Sequence, residues 1–231
     1  MMVATLCGLS VAILRLAEEN GVTDIILTPH YIQNHRGCYL NEHVKEQFES
    51  LKSEIKKQNI NLNIYLGNEL YVDSLDIISK IKSKEVYTLN DSKYILIEFP
   101  MDKIISNVED IIYEIRMLGL IPIIAHPERC NVFFENKKLL DKCTEEGALI
   151  QVNIGSILGR FGRDIKKYAL KLIKNNKVDF VATDTHSLRR EEYSNLQQLE
   201  KELEKIVGKY EKNKLLVYNA RNVLINKNIE E

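Results

Sequence analysis

Residues 121–129 read IPIIAHPER. Ile121–Ala125 is a compact apolar run with three isoleucines, and it stops abruptly at His126-Pro127-Glu128-Arg129. A run this short, apolar at both alternations, reads as a strand covered on both faces. The same arrangement recurs along the chain. Asp24–Thr28 (DIILT) leads into Pro29-His30, and Leu62–Leu66 (LNIYL) into Gly67-Asn68-Glu69. Tyr94–Glu98 (YILIE) leads into Phe99-Pro100, Ala148–Asn153 (ALIQVN) into a glycine-rich stretch, and Val178–Thr183 (VDFVAT) into Asp184-Thr185-His186. Amphipathic stretches separate these runs, at 4–20, 41–58, 74–83, 107–118, 136–146, 162–176 and 189–207. Strand-helix alternation of this kind predicts parallel βαβ units and an α/β fold.

The 231 residues fit one α/β barrel-sized unit, and no linker, low-complexity tract or fixed-period repeat divides them. The sequence predicts a single domain over 1–231. Hydrophobic residues make up 45% and charged residues 28%, which excludes a disordered or fibrous chain. Lys and Arg number 32 against 33 Asp and Glu, so no global field points to nucleic acid or an anionic membrane. No apolar run reaches the ~18 residues of a membrane helix. The opening MMVATLCGLSVAIL runs straight into Arg15-Leu16-Ala17-Glu18-Glu19-Asn20-Gly21, which reads as a helix with a glycine stop rather than a signal peptide. Cys7, Cys38, Cys130 and Cys143 show no C-x-x-C spacing and read as reduced thiols, so the expected location is cytoplasmic. Leu196, Leu199, Leu203 and Ile206 recur at helical spacing without sustained heptads, and predict a helix packed on its own domain. The tail after Leu224 reads as frayed and solvated.

Chemistry gathers just past the strands. In parallel α/β folds the strand C-termini face one mouth, where sites are built. His30, Glu69, Glu98, His126, Asp184 and His186 stand at or just past five such ends. Imidazole and carboxylate without thiolate suits zinc, manganese or iron at a catalytic centre. Each residue alone has an ordinary explanation: Asp184 could cap the next segment, and Glu98 could pair with a lysine. Six at five strand ends favour a metal site, in which a carboxylate such as Glu69 could bridge two ions. His35 and His43 read as surface residues. Arg129 could grip a phosphate oxygen, or form a surface ion pair with Glu128 or Glu135. Gly155–Arg163 (GSILGRFGR) reads as a phosphate- or partner-binding loop, or equally as a mobile connection into a helix. It matches no nucleotide-binding glycine motif. None of the four cysteines has an arginine six positions on, so a thiol phosphatase is excluded, and G-x-S-x-G and H-E-x-x-H are absent.

The strings TPHY (28–31), GNEL (67–70), LNDSKYILIEFP (89–100), IIAHPER (123–129), QVNIGSILGRFG (151–162) and ATDTHS (182–187) resemble the polymerase-and-histidinol-phosphatase (PHP) superfamily. Within it they look most like the bacterial tyrosine-protein phosphatases of capsule and exopolysaccharide loci, over about Ser10 to Leu224. The resemblance implies a distorted seven-stranded α/β barrel and a multinuclear site of two or three ions favouring Mn2+. It implies hydrolysis of phosphotyrosine on the tail of a bacterial tyrosine autokinase. His30, Glu69, Glu98, His126, Asp184 and His186 stand at the family's metal-ligand positions. Arg129 stands where the family holds the substrate phosphate, and His186 is carried over as catalytic as well. Family members open with a strand bearing H-x-H and a D-D-G turn, and this sequence shows neither. The expectation is therefore a missing first strand, one weakened metal position and impaired activity. A second family arginine has no unambiguous match, with Arg189 and Arg190 nearest. Two further readings stay open: a non-catalytic phosphopeptide binder, and a phosphoesterase for a small molecule such as histidinol phosphate. Neither nucleic acid nor membrane insertion is expected, and a homo-oligomer is left open.

Overall fold

In the computed structural model of the protein, the described residues are 2–33, 41, 43–185 and 195–229, with side chains from Ser10 onward. His35, Cys38, His186, Arg189 and Arg190, and the Cys7 side chain, lie outside the described residues. The order is α1 (Met2–Glu19), β1 (Asp24–Leu27), β2 (His30–Ile32), α2 (Val44–Lys57), β3 (Asn63–Leu66), β4 (Glu69–Tyr71) and α3 (Ile77–Lys82). Then come β5 (Tyr94–Glu98), α4 (Val108–Met117), β6 (Ile121–Ala125), α5 (Asn131–Glu135), α6 (Lys137–Glu145) and β7 (Leu149–Asn153). The chain continues through α7 (Ile154–Leu158), α8 (Arg163–Lys174), β8 (Phe180–Ala182), α9 (Leu196–Asn213), a π-helical turn (Lys214–Tyr218) and α10 (Asn219–Leu224).

All pairings are parallel. β1 pairs with β3, and a six-stranded sheet runs β2-β4-β5-β6-β7-β8. The architecture is thus the expected α/β fold with parallel sheets. Among the described residues, β1 pairs only with β3 and β8 only with β7, so both strands have an open edge.

The Asp24 and Leu62 runs each continue past a break into a second short strand. Proline has no N–H to give to a ladder, and Pro29 sits in the first break. The register nevertheless carries across. The Gly67 N–H donates to the Leu27 carbonyl at 2.9 Å, and the Glu69 N–H to the Pro29 carbonyl at 3.2 Å. The buried Asn68 amide stitches the break, donating from Nδ2 to the Pro29 carbonyl at 3.1 Å and accepting from the Tyr87 N–H at 2.7 Å.

Helix periodicity explains the packing. In α4, Val108, Ile111, Ile112 and Ile115 form one stripe at i, i+3, i+4, i+7, and all four are fully buried. β5 is buried at every position, as a strand covered on both faces requires. Leu199 and Leu203 of α9 are fully buried in the same core, which accounts for their spacing without a coiled-coil partner. Val11, Leu14 and Ala17 of α1 pack with Phe48, Leu51 and Ile55 of α2 in a smaller core over β3. The expectation of a frayed tail is corrected. Asn226 Oδ1 accepts from the Lys93 N–H at 2.9 Å, and Tyr94 Oη donates to the Lys227 carbonyl at 2.6 Å. Both contacts fasten the tail to the entry of β5, and Tyr94 is buried where they form.

Candidate metal centre

Strand register assembles the site. His30 of β2 lies directly opposite Glu69 of β4. Glu69 in turn lies opposite Leu96 of β5, and Glu98 comes two residues later. Side chains two apart on a strand point to one face, so Glu98 joins the side that Glu69 occupies. His126 follows the last residue of β6 and is turned by a left-handed backbone, φ 35° and ψ 51°.

The four side chains converge. Glu98 Oε1 lies 2.8 Å from His30 Nδ1, and Glu98 Oε2 lies 3.6 Å from His126 Nε2. Glu69 Oε2 lies 3.6 Å from His30 Nδ1, and Glu69 Oε1 lies 3.1 Å from His126 Nε2. Each carboxylate therefore addresses both imidazoles, one oxygen to each. His30, Glu69 and Glu98 offer ligand atoms that all lie within 4.8 Å of one another. Glu69, Glu98 and His126 are buried, and His30 opens to solvent.

The field of this cluster is negative. The hydrogen bond to Glu98 raises the His30 pKa above the ordinary imidazole range, against the opposing effect of burial. Burial disfavours the charge on His126, yet the adjacent Cys130 and Glu69 outweigh it and carry its pKa well above the ordinary value. A field that draws protons onto two imidazoles also draws divalent cations, which compete with those protons. The donor set is nitrogen and carboxylate oxygen, suited to zinc, manganese or iron. The residues present fit a divalent cation.

Asp184 sits beside this cluster, close enough to contribute to the raised pKa of His30. Its Oδ2 accepts from Arg129 Nη1 at 3.2 Å and from Asn153 Nδ2 at 2.8 Å. Asp184, like His126, has a left-handed backbone, with φ 49°. Thus five of the six expected ligands are neighbours, and Arg129 is beside them.

Three residues were not expected here. Asn153, read only as a strand end, holds Asp184. Glu128, one of two acids open as an alternative surface partner for Arg129, is fully buried. Its Oε1 accepts from the Asn153 N–H at 3.1 Å and from Ser156 Oγ at 2.6 Å, and burial raises its pKa. Phe161 lies under Arg129, whose Cζ is 4.2 Å from the ring centroid. Gly155–Leu158, read as part of a loop, belongs to the short helix α7. His43 is exposed, as expected.

No helix among the described residues is long and apolar enough to cross a membrane. A family model described as capsular polysaccharide synthesis, CpsB/CapC, matches residues 4–225. The chain is 37% identical over 224 residues to the putative tyrosine-protein phosphatase CapC of Staphylococcus aureus, covering 96% of this chain and 86% of that protein. It is 36% identical over 182 residues to tyrosine-protein phosphatase YwqE of Bacillus subtilis (strain 168), covering 78% of this chain and 70% of that one. A solved structure superposes with a TM-score of 0.89 at 33% identity, covering 97% of this chain and 89% of the other. It comes from crystal structures of YwqE from Bacillus subtilis and CpsB from Streptococcus pneumoniae, described as unique metal-dependent tyrosine phosphatases. With nearly its whole length matched by family model, sequence and structure, this chain belongs to the CpsB/CapC capsular polysaccharide synthesis family.

Proposed function

We propose that the protein is a metal-dependent phosphotyrosine phosphatase acting in the cytoplasm on the tail of a bacterial tyrosine autokinase that regulates capsule synthesis. The carrying observation is the pair of carboxylates, Glu69 and Glu98, each with one oxygen toward His30 and the other toward His126. The names of the relatives, all tyrosine-protein phosphatases, support the substrate class. In this reading residues 1–231 form one PHP-type domain, of the distorted seven-stranded barrel type.

The ligands in this reading are His30, Glu69, Glu98, His126, Asp184 and His186, and the ion of choice is Mn2+, two or three in an intact site. Bound divalent ions supply Lewis acidity toward phosphoryl oxygens and a water acidic enough to attack phosphorus near neutral pH. The protein's own groups do the rest. Arg129 presents a planar donor fork to the phosphoryl oxygens and neutralises charge that builds on them. Asp184 holds that guanidinium at one corner, and Asn153 holds Asp184. His186 is carried in this reading as a further ligand and as part of the catalytic set.

The test is phosphate release from a phosphotyrosine peptide by the full chain with Mn2+, against EDTA, with phosphoserine peptide and histidinol phosphate as comparators. Manganese-dependent turnover of the tyrosine substrate above both comparators is the expected result. Preferred turnover of histidinol phosphate, or peptide binding without hydrolysis under any divalent metal, would overturn it.

A further inference from the structure

We propose that Phe161 is a positioning residue for Arg129, fixing the plane in which the guanidinium meets the substrate phosphate. The inference rests on the reading of Arg129 as the phosphate-binding residue.

Among the described residues, the polar contacts of Arg129 hold its plane only weakly. Nη1 meets Asp184 Oδ2 at 3.2 Å, and Nη2 reaches the half-exposed Met101 Sδ at 3.5 Å. One charged contact and one weak one restrain rotation about the Cδ–Nε bond only loosely, and a two-oxygen grip on phosphate is sensitive to that rotation. Phe161 lies under the guanidinium, with Cζ 4.2 Å from the ring centroid. An aromatic face at this distance attracts the cation and favours stacking.

The ring is itself seated. A Cβ at Gly155 would fall 2.8 Å from Phe161 Cε2, so the ring edge occupies a notch that only glycine leaves open. Between them α7 ends at Gly159, φ +87°, and the Arg160 N–H donates to the Gly155 carbonyl at 2.9 Å, folding Phe161 back over Gly155. The start of this segment is anchored by Glu128 through the Asn153 N–H and Ser156 Oγ. Successive residues of the 126–129 turn thus do opposite things. Glu128 points inward and holds the 153–161 segment, while Arg129 points to the mouth and is held by it. Asp184 is also a proposed metal ligand, and an oxygen engaged by a cation gives less to the arginine. The hold of the ring does not depend on that ion.

The experiment uses the full chain with Mn2+ and a phosphotyrosine peptide, with inorganic phosphate as competitive probe. Phe161→Leu keeps an apolar side chain and removes the π face. It is expected to raise KM and the phosphate inhibition constant by about three- to tenfold, the range of one partly desolvated cation–π contact. The fall in kcat/KM should exceed that in kcat, manganese affinity should be unchanged, and Phe161→Tyr should restore wild-type values. Phe161→Leu kinetics equal to wild type would overturn the proposal, as would an equal loss in Phe161→Tyr. A second readout needs no variant at 161. The Arg129 Nε–H proton of 15N-labelled protein, assigned by its disappearance in Arg129→Lys, should be shifted upfield by the ring; an unshifted resonance would overturn the stack. If the wild type shows no manganese-dependent turnover of the peptide, the phosphatase reading itself fails and takes this role of Phe161 with it. Wild-type turnover with indifferent variants refutes the positioning role alone.

Discussion

Oε1 of Glu69 lies 3.1 Å from Nε2 of His126, a buried contact between residues 57 apart in sequence. Glu69→Gln keeps the shape and removes the charge that attracts a cation. Its Mn2+ affinity should fall by more than the about 10- to 100-fold that outer-sphere partners of a metal are worth. Titration calorimetry measures it directly. Wild-type affinity in Glu69→Gln would remove this carboxylate from the ligand set.

The raised pKa values of His30 and His126 set a pH dependence of opposite sign with and without metal. A histidine whose folded pKa is raised contributes stability that is full below its unfolded pKa of about 6.5 and is lost as pH rises through the folded value. Metal-free protein should therefore lose thermal stability as pH climbs above about 6.5. Manganese needs the imidazoles unprotonated, so the stabilisation it confers should grow over the same range. Thermal melts from pH 6 to 9, with EDTA or with Mn2+, should lie close together at low pH and diverge as pH rises, the Mn2+ samples melting increasingly higher. Parallel trends would contradict the coupling.

Arg129→Ala should lower kcat/KM for a phosphotyrosine peptide by about 100-fold, as loss of a transition-state donor typically does. Arg129→Lys keeps the charge but loses the planar fork, and should recover only part of the activity. Steady-state kinetics decides it, and full activity in Arg129→Ala would exclude the phosphate role.

Glu128→Ala strands the Asn153 N–H and the Ser156 hydroxyl in a buried site, and should destabilise the fold by roughly 2–4 kcal/mol. Glu128→Gln keeps an acceptor. Burial raises the pKa of Glu128, so ionising it opposes folding, and wild-type stability falls as pH rises above about 4.5. Urea unfolding should therefore find Glu128→Gln gaining on the wild type between pH 5 and pH 8. A constant difference over that range would show that Glu128 carries no such penalty.

The strand ends were legible in the sequence because apolar runs and their abrupt polar stops are local signals. Tyr94–Glu98 and Ile121–Ala125 coincide with β5 and β6. The three-residue β2 and β4 were not, since Pro29 and Gly67-Asn68 read as stops and so short a strand has no periodicity to detect. His30, Glu69, Glu98 and His126 were foreseeable as neighbours because parallel topology collects strand C-termini at one mouth. The burial of Glu128 was not legible, because a fully buried glutamate is rare and betrays itself only by its partners, 25 and 28 residues away. Phe161 gave no local sign of its place, which depends on chain reversal at Gly159 and the open notch at Gly155.

The hold of Asn226 and Lys227 on the start of β5 has a practical side. That strand carries Glu98, a proposed ligand, at its far end, so disturbing residues 225–229 would pull on it from below. Affinity handles, fluorescent fusions or immobilisation chemistry joined there would tug at the base of the sheet, and inactive preparations could be mistaken for an inactive enzyme. Reagents for this protein should leave residues 225–229 undisturbed.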